Sequence, residues 1–310
     1  KTSGDKQKTV RADRVTIEQL EKLIVSDYER NDRDSLQRVK TGFKDLRISF
    51  RGQTAQSITF TALVDHMDQR LAEGRSLGSL KVDFAYLRRA FNLAILGGVL
   101  TTKPQFPTID AHNVRKGFFE REQFDKVCAE LPATIRPIAV MAYYTGWRMK
   151  DEILPLTWDR VDLRAGVIRL DPGTTKNKEG RTWPFDGLPE LAEMLKAQSE
   201  ATRALEKRLG VAIPWVFHRN GRQVKSIRTA WENACARAKV ERYPHDFRRT
   251  AARNLMRAGV PQPVAKKLMG HKTDEMYERY AIVAEADLRE SVQKLAVLNA
   301  ATTSGAVPPR

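Results

Sequence analysis

Apolar residues recur every three or four positions along most of the chain, which is the spacing of one face of an α-helix. The first stripe starts at Ile17, directly after Thr16, a residue type that often caps helix N-termini. Glycines separate this stripe from later ones. The pattern therefore predicts a small helical domain over residues 16–100, preceded by a flexible segment at residues 1–15.

The helical period stops between residues 101 and 117, where Pro104 and Pro107 interrupt the chain. Prolines without a helical repeat are typical of an extended connection, so we expect an interdomain linker at residues 101–117. A second domain should then occupy residues 118–286. A further apolar stripe predicts a C-terminal helix and tail at residues 287–310.

In the second domain, the spacing of apolar residues is helical in some segments and typical of β-strands in others. Helical spacing comes first, over residues 120–131 and 135–145. Short segments typical of β-strands follow at residues 161–163, 167–170 and 181–185, joined by polar turns. Helical spacing then returns. We therefore predict a mainly α fold with a small antiparallel β-sheet, which belongs to the α+β class.

Positive charge dominates the composition and indicates a polyanionic partner. Among 310 residues, Lys and Arg total 54 against 38 acidic residues, which gives a formal net charge of +16. Nucleic acid is the leading candidate for such a partner. The longest nearly uncharged apolar run, residues 91–100, is about half of the roughly 20 residues that a membrane-spanning helix needs. We therefore expect no membrane span.

The two cysteines, Cys128 and Cys235, show neither CxxC spacing nor the pattern of a disulfide framework. Such usage is typical of a reducing compartment, so we expect a cytoplasmic protein. The chain opens at Lys1 rather than Met, and an upstream domain is compatible with that start.

A dense group of polar residues opens a predicted helix between Tyr243 and Gly259. Asp246 is the candidate N-cap of this helix, and His245 and Arg248 lie three residues apart. That spacing puts both side chains on the same side of the first turn, where a helix N-terminus also favours an anion. The segment could hold a phosphate, or it could be a basic surface helix capped by His245; the residues alone leave both open.

A second group contains Gly270 and His271, followed by Tyr277 and Tyr280. Gly270 can end a helix and turn His271 inward. A phenol is mostly protonated at neutral pH, and it becomes a nucleophile only where cations or a base stabilise the phenolate. The alternative is that both tyrosines are packing residues with their hydroxyls in water.

Two further segments offer cations. Arg148 follows Gly146 closely, between two predicted helices, where a guanidinium can present its bidentate fork to phosphate oxygens. The turn between the second and third predicted strands carries Lys176 and Lys178. A lysine there could reach DNA or donate a proton, whereas the alternative is an ordinary solvated turn.

Together these segments resemble the active site of the tyrosine recombinases, also called phage integrases. The family's site reads, in chain order, Arg, Lys, His-x-x-Arg, His or Trp, and Tyr. The matching residues are Arg148 in Thr-Gly-Trp-Arg, Lys176 in Thr-Lys-Asn-Lys, His245 and Arg248 in His-Asp-Phe-Arg, His271 in Gly-His-Lys, and Tyr280. The resemblance runs from residue 118 to the end, and the preceding helical segment resembles the family's core-binding domain.

The usual distances between site residues in the family favour one tyrosine and one lysine over their neighbours. The nucleophile usually follows the second histidine by nine residues, which selects Tyr280 and leaves Tyr277 as a packing residue. The lysine that stands five residues before the strand arginine is Lys176, so Lys178 becomes the second choice.

One position departs from the family's pattern. An acidic residue usually stands three positions after the first arginine, whereas here Glu152 stands four after Arg148. The helix that follows Arg148 therefore holds an extra residue. Whether Asp151 or Glu152 supports Arg148 stays open at this point.

The resemblance implies a site-specific recombinase or integrase that cleaves and rejoins DNA through a 3′-phosphotyrosyl intermediate. Tyr280 would be the nucleophile, the two arginines and two histidines would bind the phosphate, and Lys176 would protonate the leaving oxygen. The implied partner is double-stranded DNA, bound by a homotetramer, with DNA-bending or directionality accessory proteins. No cofactor, metal or membrane is implied. The setting would be a mobile element, in the cytoplasm and nucleoid of a bacterium or encoded by a phage.

Two other functions are compatible with the sequence. A type IB topoisomerase uses similar residues as a monomer, and a non-cleaving accessory protein would use the same basic surface only to bind DNA. The complete set of matching residues favours the recombinase over the accessory protein. The C-terminal stripe could dock on a neighbouring protomer, as the resemblance suggests, or on its own domain.

Overall fold

The computed structural model confirms a mainly α fold with a small antiparallel sheet. The residues that it describes are 14–111, 117–173, 180–278, 280, 288–289, 292–297 and 299. The chain divides into two compact units, one before residue 116 and one from residue 116 on. Within the described part of the chain, no helix is long and apolar enough to cross a membrane.

The first unit is built from amphipathic helices that share an apolar core. These helices are α1 (Ile17–Arg30), α2 (Leu36–Ser49), α3 (Phe60–Ala72) and α4 (Leu77–Leu96). Thr16 caps α1 as predicted: its side chain accepts a hydrogen bond from the backbone of Gln19, whose side chain in turn accepts one from the backbone of Thr16. Because α1 packs against both α2 and α4, Phe43, Leu87 and Phe91 are buried in this core.

The core of the first unit begins one residue earlier than the sequence predicts. Val15, expected to lie in the flexible N-terminal segment, is fully buried. Its carbonyl accepts a hydrogen bond from the backbone of Ala55 at 2.6 Å, and the next residue, Thr16, forms a β-bridge with Thr54. A single apolar residue before a helix carries no period, so the sequence pattern could not assign Val15 to the core.

The core also extends into the stretch expected to be a linker at residues 101–117. Residues 101–111 have no regular secondary structure, yet Ile109 is buried in the same core. The ring of Phe106 lies 6.2 Å from that of Phe91, edge to face. These residues therefore belong to the first unit, because isolated apolar side chains between prolines pack without any repeat that a sequence pattern detects.

The second unit combines helices with short antiparallel strands. Its helices are α5 (Arg121–Glu130), α6 (Arg136–Thr145), α7 (Pro189–Leu209), α8 (Arg228–Ala238), α9 (Asp246–Arg257), α10 (Gln262–Met269) and α11 (Asp274–Glu278). Its strands are β1 (Val161–Asp162), β2 (Val167–Leu170), β3 (Arg181–Pro184), β4 (His218–Arg219) and β5 (Arg222–Gln223). The helices predicted at residues 120–131 and 135–145 are thus confirmed as α5 and α6.

The predicted sheet forms from β1, β2 and β3, which pair antiparallel in that order. Leu170 of β2 lies opposite Arg181 of β3. Alternation along β3 buries Arg181 and Trp183 and exposes Thr182 between them. Because α10 packs against β3, the sheet puts a buried arginine beside that helix.

α9 is the helix that the sequence predicts after His245. It packs against α6, and the ring of Phe247 stacks on that of Phe119 at 4.8 Å. The prediction that Asp246 caps this helix is wrong. Asp246 is the first residue of α9, His245 holds the capping position, and the Asp246 carboxylate accepts a hydrogen bond from the backbone of Tyr243 at 2.9 Å. The carboxylate therefore closes the turn before the helix rather than binding the first amides of α9.

Gly146, at the end of α6, has a left-handed φ of +60° and no room for a side chain. A β-carbon there would lie 2.7 Å from side-chain atoms of Ala251 and Met269, whereas Gly210, which ends α7 at φ +69°, faces open space. We expect Gly146→Ala to lower the free energy of unfolding by about 2 kcal/mol more than Gly210→Ala, because only the first adds a clash to the left-handed strain. Denaturant unfolding of both variants measures this difference, and equal losses would contradict it.

Candidate active site

Arg148 is held by the chain reversal that ends α6. After Gly146, the backbone of Trp147 donates a hydrogen bond to the Thr145 hydroxyl at 3.2 Å, and its indole donates to the carbonyl of Leu268 at 3.0 Å. Trp147 is buried, so these two bonds fix the direction of the chain as it leaves the helix. Arg148 comes next and keeps a side-chain exposure of 18%.

The turn after Arg148 contains the extra residue that the sequence predicts. It is a π-helical turn, Met149–Ile153, in which the backbone of Ile153 donates to the carbonyl of Arg148 at 3.1 Å. The backbone of Leu154 likewise donates to the carbonyl of Met149 at 2.9 Å. Hydrogen bonds that reach back five residues instead of four make room for one more residue in the turn.

This π-helical turn decides which carboxylate supports Arg148. Asp151 is exposed, whereas Glu152 is buried beneath Arg148. The Glu152 carboxylate accepts hydrogen bonds from the backbone of Arg148 at 2.7 Å and from its guanidinium at 2.8 Å. The question left open by the sequence is therefore answered in favour of Glu152.

Arg181, the strand arginine that fixes the register of Lys176 in the sequence, is a member of this cluster to which the sequence assigned no role. It is buried on β3 and donates to both oxygens of Glu152, at 3.0 and 3.3 Å. Its Nη1 also donates to the carbonyl of Met269 at 3.0 Å. An arginine at an inward position of a predicted strand is a weak signal in a chain this rich in arginine, and the family spacing used Arg181 only to select Lys176.

Arg248 projects from the first turn of α9 into the same cluster. Its two terminal nitrogens donate to the carbonyl of Gly146 at 2.9 Å and to the carbonyl of Met269 at 3.0 Å. Burial, and then the nearby charge of Arg148, lowers the pKa of Arg248 to about 10. That value is still well above neutral pH, so the guanidinium stays charged.

His271 follows Gly270, which ends α10 with a left-handed φ of +66°. The imidazole is buried, and neither ring nitrogen has a hydrogen-bond partner among the described residues. Burial, followed by the charges of Arg248 and Arg148, lowers the pKa of His271 to about 3. The ring is therefore neutral at physiological pH and carries one N–H donor.

Tyr280, the nucleophile that the spacing predicts, lies among these side chains. Its ring stacks on that of His271 at 5.2 Å, and the guanidinium carbon of Arg248 lies 5.6 Å from its centre. Its hydroxyl is 3.3 Å from Nε2 of His245. Tyr277 is buried in a small apolar cluster against which Tyr280 also packs, and its ring lies 5.9 Å from that of His271, edge to face. Burial raises the pKa of Tyr277.

Lys176 and Lys178 lie outside the described residues. The structure brings together the other predicted site residues, which are Arg148, His245, Arg248, His271 and Tyr280. Arg248 and Arg148 lie close enough to perturb the titration of His271, although they come from separate segments of the second unit.

The cluster is suited to an anion. Among the described residues, the guanidiniums of Arg148 and Arg181 pair with the carboxylate of Glu152, and the guanidinium of Arg248 lies near enough to be perturbed by their charges, so positive charge exceeds negative charge in this part of the cluster. Guanidinium forks match the oxygens of a phosphate group. Among the residues that the structure describes, no group of His, Cys, Asp and Glu could hold a metal ion. The arrangement can therefore bind a tetrahedral oxyanion beside a phenol.

Known sequences with similar segments include integrases and recombinases. The model of the phage integrase family matches residues 118–287. The integrase of Salmonella phage P22 is 27% identical over 198 residues, which are 59% of this chain, and the match spans about half, 48%, of that protein's length. The tyrosine recombinase XerD of Shewanella oneidensis is 26% identical over 263 residues, covering 80% of this chain and 83% of that protein.

Solved structures with the same fold include two integrases. The Tn1549 transposon integrase, in complex with transposon right end DNA, has a TM-score of 0.68 at 17% identity and covers 89% of this chain and 99% of its own. A λ integrase tetramer bound to a Holliday junction has a TM-score of 0.69 at 18% identity, covering 86% of this chain and 78% of its own. At these identities the similarity concerns the fold.

The low pKa of His271 predicts a pH-dependent stability. An unfolded histidine binds a proton below a pH of about 6.5, whereas the folded ring stays neutral down to a pH of about 3, so stability falls as the pH drops through this window. Between pH 7 and pH 5, we expect the wild type to lose about 2 kcal/mol more unfolding free energy than His271→Gln. Denaturant titrations of both proteins at the two pH values measure this, and identical losses would refute the buried neutral ring.

Proposed function

Because the chain belongs to the phage integrase family, we propose that it is a site-specific recombinase that breaks and rejoins DNA strands. One observation carries the proposal: the Tyr280 phenol lies among His245 and Arg248, both at the start of α9, and His271, which follows α10. An integrase of this fold, that of Tn1549, is in complex with DNA. The formal net charge of +16 suits the same polyanion.

Tyr280 is the proposed nucleophile. Its oxygen attacks the scissile phosphorus, so a bond from phosphorus to the tyrosine forms while the bond to the 5′ oxygen breaks. The product is a 3′-phosphotyrosyl link. Nε2 of His245, 3.3 Å from the hydroxyl, accepts the phenol proton in this scheme.

Arg148 and Arg248 are the proposed ligands of the transition-state charge. A pentacoordinate phosphorus carries extra negative charge on its non-bridging oxygens, and guanidiniums that are already in position stabilise that charge. His271 adds a hydrogen bond from its one N–H. Both its ring nitrogens are buried and lack partners among the described residues, so a substrate oxygen would satisfy a donor that otherwise costs stability.

Lys176 is the proposed general acid. It stands five residues before Arg181, the residue through which β3 joins the cluster. This role rests on the position of Lys176 in the family's motif, since the lysine itself lies outside the described residues. Its proton goes to the departing 5′ oxygen, which leaves as a hydroxyl.

Rejoining runs the same chemistry in reverse. A 5′-hydroxyl of another strand attacks the phosphotyrosyl phosphorus, the bond to Tyr280 breaks, and the phenol regains its proton. Each step exchanges one phosphate ester for another, so the balance requires no ATP. We propose that the reaction also uses neither cofactor nor metal, because Arg148 and Arg248 supply the positive charge.

We further propose that the chain acts on double-stranded DNA as a homotetramer that integrates or excises a mobile element. The first unit would serve as the core-binding domain and the second as the catalytic domain. The λ integrase tetramer on a Holliday junction, which shares the fold, supports this assembly. DNA-bending or directionality proteins would assist it, in the cytoplasm and nucleoid of the host cell.

The C-terminal segment is the proposed contact between protomers. Leu288, Val292, Leu295 and Val297 are apolar, and each side chain is more than half exposed in the single chain. Exposed apolar residues grouped in one segment mark interaction surfaces. Docking on a neighbouring protomer would cover them.

Tyr280→Phe and Tyr277→Phe form a matched pair that tests the nucleophile. We expect Tyr280→Phe to abolish the covalent adduct with nicked duplexes and to bind duplex DNA within several-fold of normal, because only the attacking oxygen is lost. Tyr277→Phe should still form the adduct. Denaturing gels measure the adduct, and mass spectrometry of its peptide identifies the esterified residue. An adduct on Tyr277 would overturn the assignment.

Lys176→Ala and Lys178→Ala test the general acid. A sulfur in place of the 5′ bridging oxygen leaves as a thiolate, whose conjugate thiol has a pKa of about 8.5 and needs no proton donor. We therefore expect Lys176→Ala to cleave an ordinary duplex at least about 100-fold more slowly, and the sulfur-substituted duplex at close to the wild-type rate. Lys178→Ala should cleave both normally. If sulfur rescues Lys178→Ala instead, Lys178 is the acid.

A further inference from the structure

Arg181 connects two segments that carry separate residues of the proposed site. Its side chain is only 4% exposed. Its two terminal nitrogens donate to the two oxygens of Glu152 at 3.0 and 3.3 Å, and the same carboxylate accepts from the Arg148 guanidinium at 2.8 Å. One carboxylate therefore links Arg181 on β3 to Arg148 after α6.

Arg181 also contacts the end of α10. Its Nη1 donates to the carbonyl of Met269, which accepts a second hydrogen bond from Arg248; both distances are 3.0 Å. Gly270 lies so close to the guanidinium that an added β-carbon would overlap it. Because His271 follows directly, any shift of Arg181 would move the backbone that carries His271 and would disturb a partner of Arg248.

We propose that Arg181 is a positioning residue for phosphate binding. It orients Arg148 through Glu152, and it orients His271 through the backbone of residues 269–270. Its terminal nitrogens donate to Glu152 and to the Met269 carbonyl, so it acts on the phosphate through these neighbours. This inference rests on the proposed function and gives a role to Arg181, which the sequence comparison used only to select Lys176.

The charge balance favours this arrangement. Paired with Arg148 alone, the Glu152 carboxylate would cancel the charge of Arg148, which a phosphate must meet together with that of Arg248. Shared between Arg148 and Arg181, it holds Arg148 in place while a net positive charge remains. A buried carboxylate is also costly to leave with too few partners, and the second guanidinium supplies two of the hydrogen bonds that it needs.

The contacts require an arginine rather than a lysine. The planar guanidinium reaches three acceptors at once, which are the two oxygens of Glu152 and the carbonyl of Met269. A lysine ammonium is a single point charge on a flexible stem and does not reproduce this fork. Arg181→Lys therefore keeps the charge and loses the geometry.

The test compares two DNA substrates that differ only at the scissile phosphate. In a methylphosphonate, a methyl group replaces one charged non-bridging oxygen, so the transition state offers less charge for Arg148 to bind. We expect Arg181→Gln to slow adduct formation about 10–100-fold on the ordinary phosphodiester, with duplex affinity changed less than about threefold. On the methylphosphonate, its rate should come within about threefold of the wild type.

Two further variants serve as controls, one for the loss of an exposed arginine and one for the loss of guanidinium geometry without loss of charge. Arg169→Gln on β2 removes an exposed arginine that pairs with Asp162 at 3.6 Å, and it should react at the wild-type rate on both substrates. Arg181→Lys should show a smaller defect with the same dependence on substrate. Single-turnover rates at saturating DNA are compared, after thermal unfolding has confirmed that each protein is folded.

The outcomes separate the two levels of the proposal. A wild type that forms no adduct with any duplex would refute the recombinase function and the positioning role with it. If the wild type reacts and both Arg181→Gln and Arg181→Lys react as fast as the wild type, the positioning role alone is refuted. The positioning role is also refuted if Arg181→Gln slows the reaction equally on both substrates, because the defect would then not depend on the phosphate charge that Arg148 binds. A defect confined to DNA affinity would refute it for the same reason.

Discussion

The buried carboxylate of Glu152 allows the second unit to hold two guanidiniums close together. Each guanidinium removed from water needs an acceptor, and like charges at short range repel one another. Glu152 meets both demands, because it binds Arg148 and Arg181 at once and offsets part of their charge. Its place depends in turn on the π-helical turn, which brings it beneath Arg148. The placement of Arg148 and Arg181 thus depends on one residue and one local irregularity of the helix.

Helix C-termini supply the remaining acceptors. Arg248 donates to the carbonyls of Gly146 and Met269, which lie at the ends of α6 and α10. Helix ends carry partial negative charge and unsatisfied carbonyls, so they stabilise cations without a formal anion. The carboxylate and these carbonyls hold the cations but leave an excess of positive charge beside a neutral His271. An incoming phosphate therefore meets donors that are already oriented, which is the condition for efficient electrostatic stabilisation.

Fold elements with a regular period were predictable from the sequence. The capped start of α1 and the sheet of β1 to β3 follow from caps, periods and turns, because these signals are local. Features without a period were not predictable. Val15 and Ile109 lie in the first core although neither belongs to a stripe. The predicted capping role of Asp246 is wrong, because a carboxylate at a helix start can accept a hydrogen bond from the backbone that precedes the helix, here that of Tyr243, as well as from the first amides of the helix.

The sequence by itself determined which residues are candidates for the site: a family motif is spaced along the chain, and the distance from His271 favours Tyr280 over Tyr277 as the proposed nucleophile. It also showed that one extra residue follows Arg148. Only the tertiary structure decided that Glu152, rather than Asp151, binds Arg148 and that Arg181 joins the cluster. The physical reason is that a sequence motif gives only the order and spacing of residues along the chain. Which guanidiniums pair with a buried carboxylate depends on which distant segments meet in space.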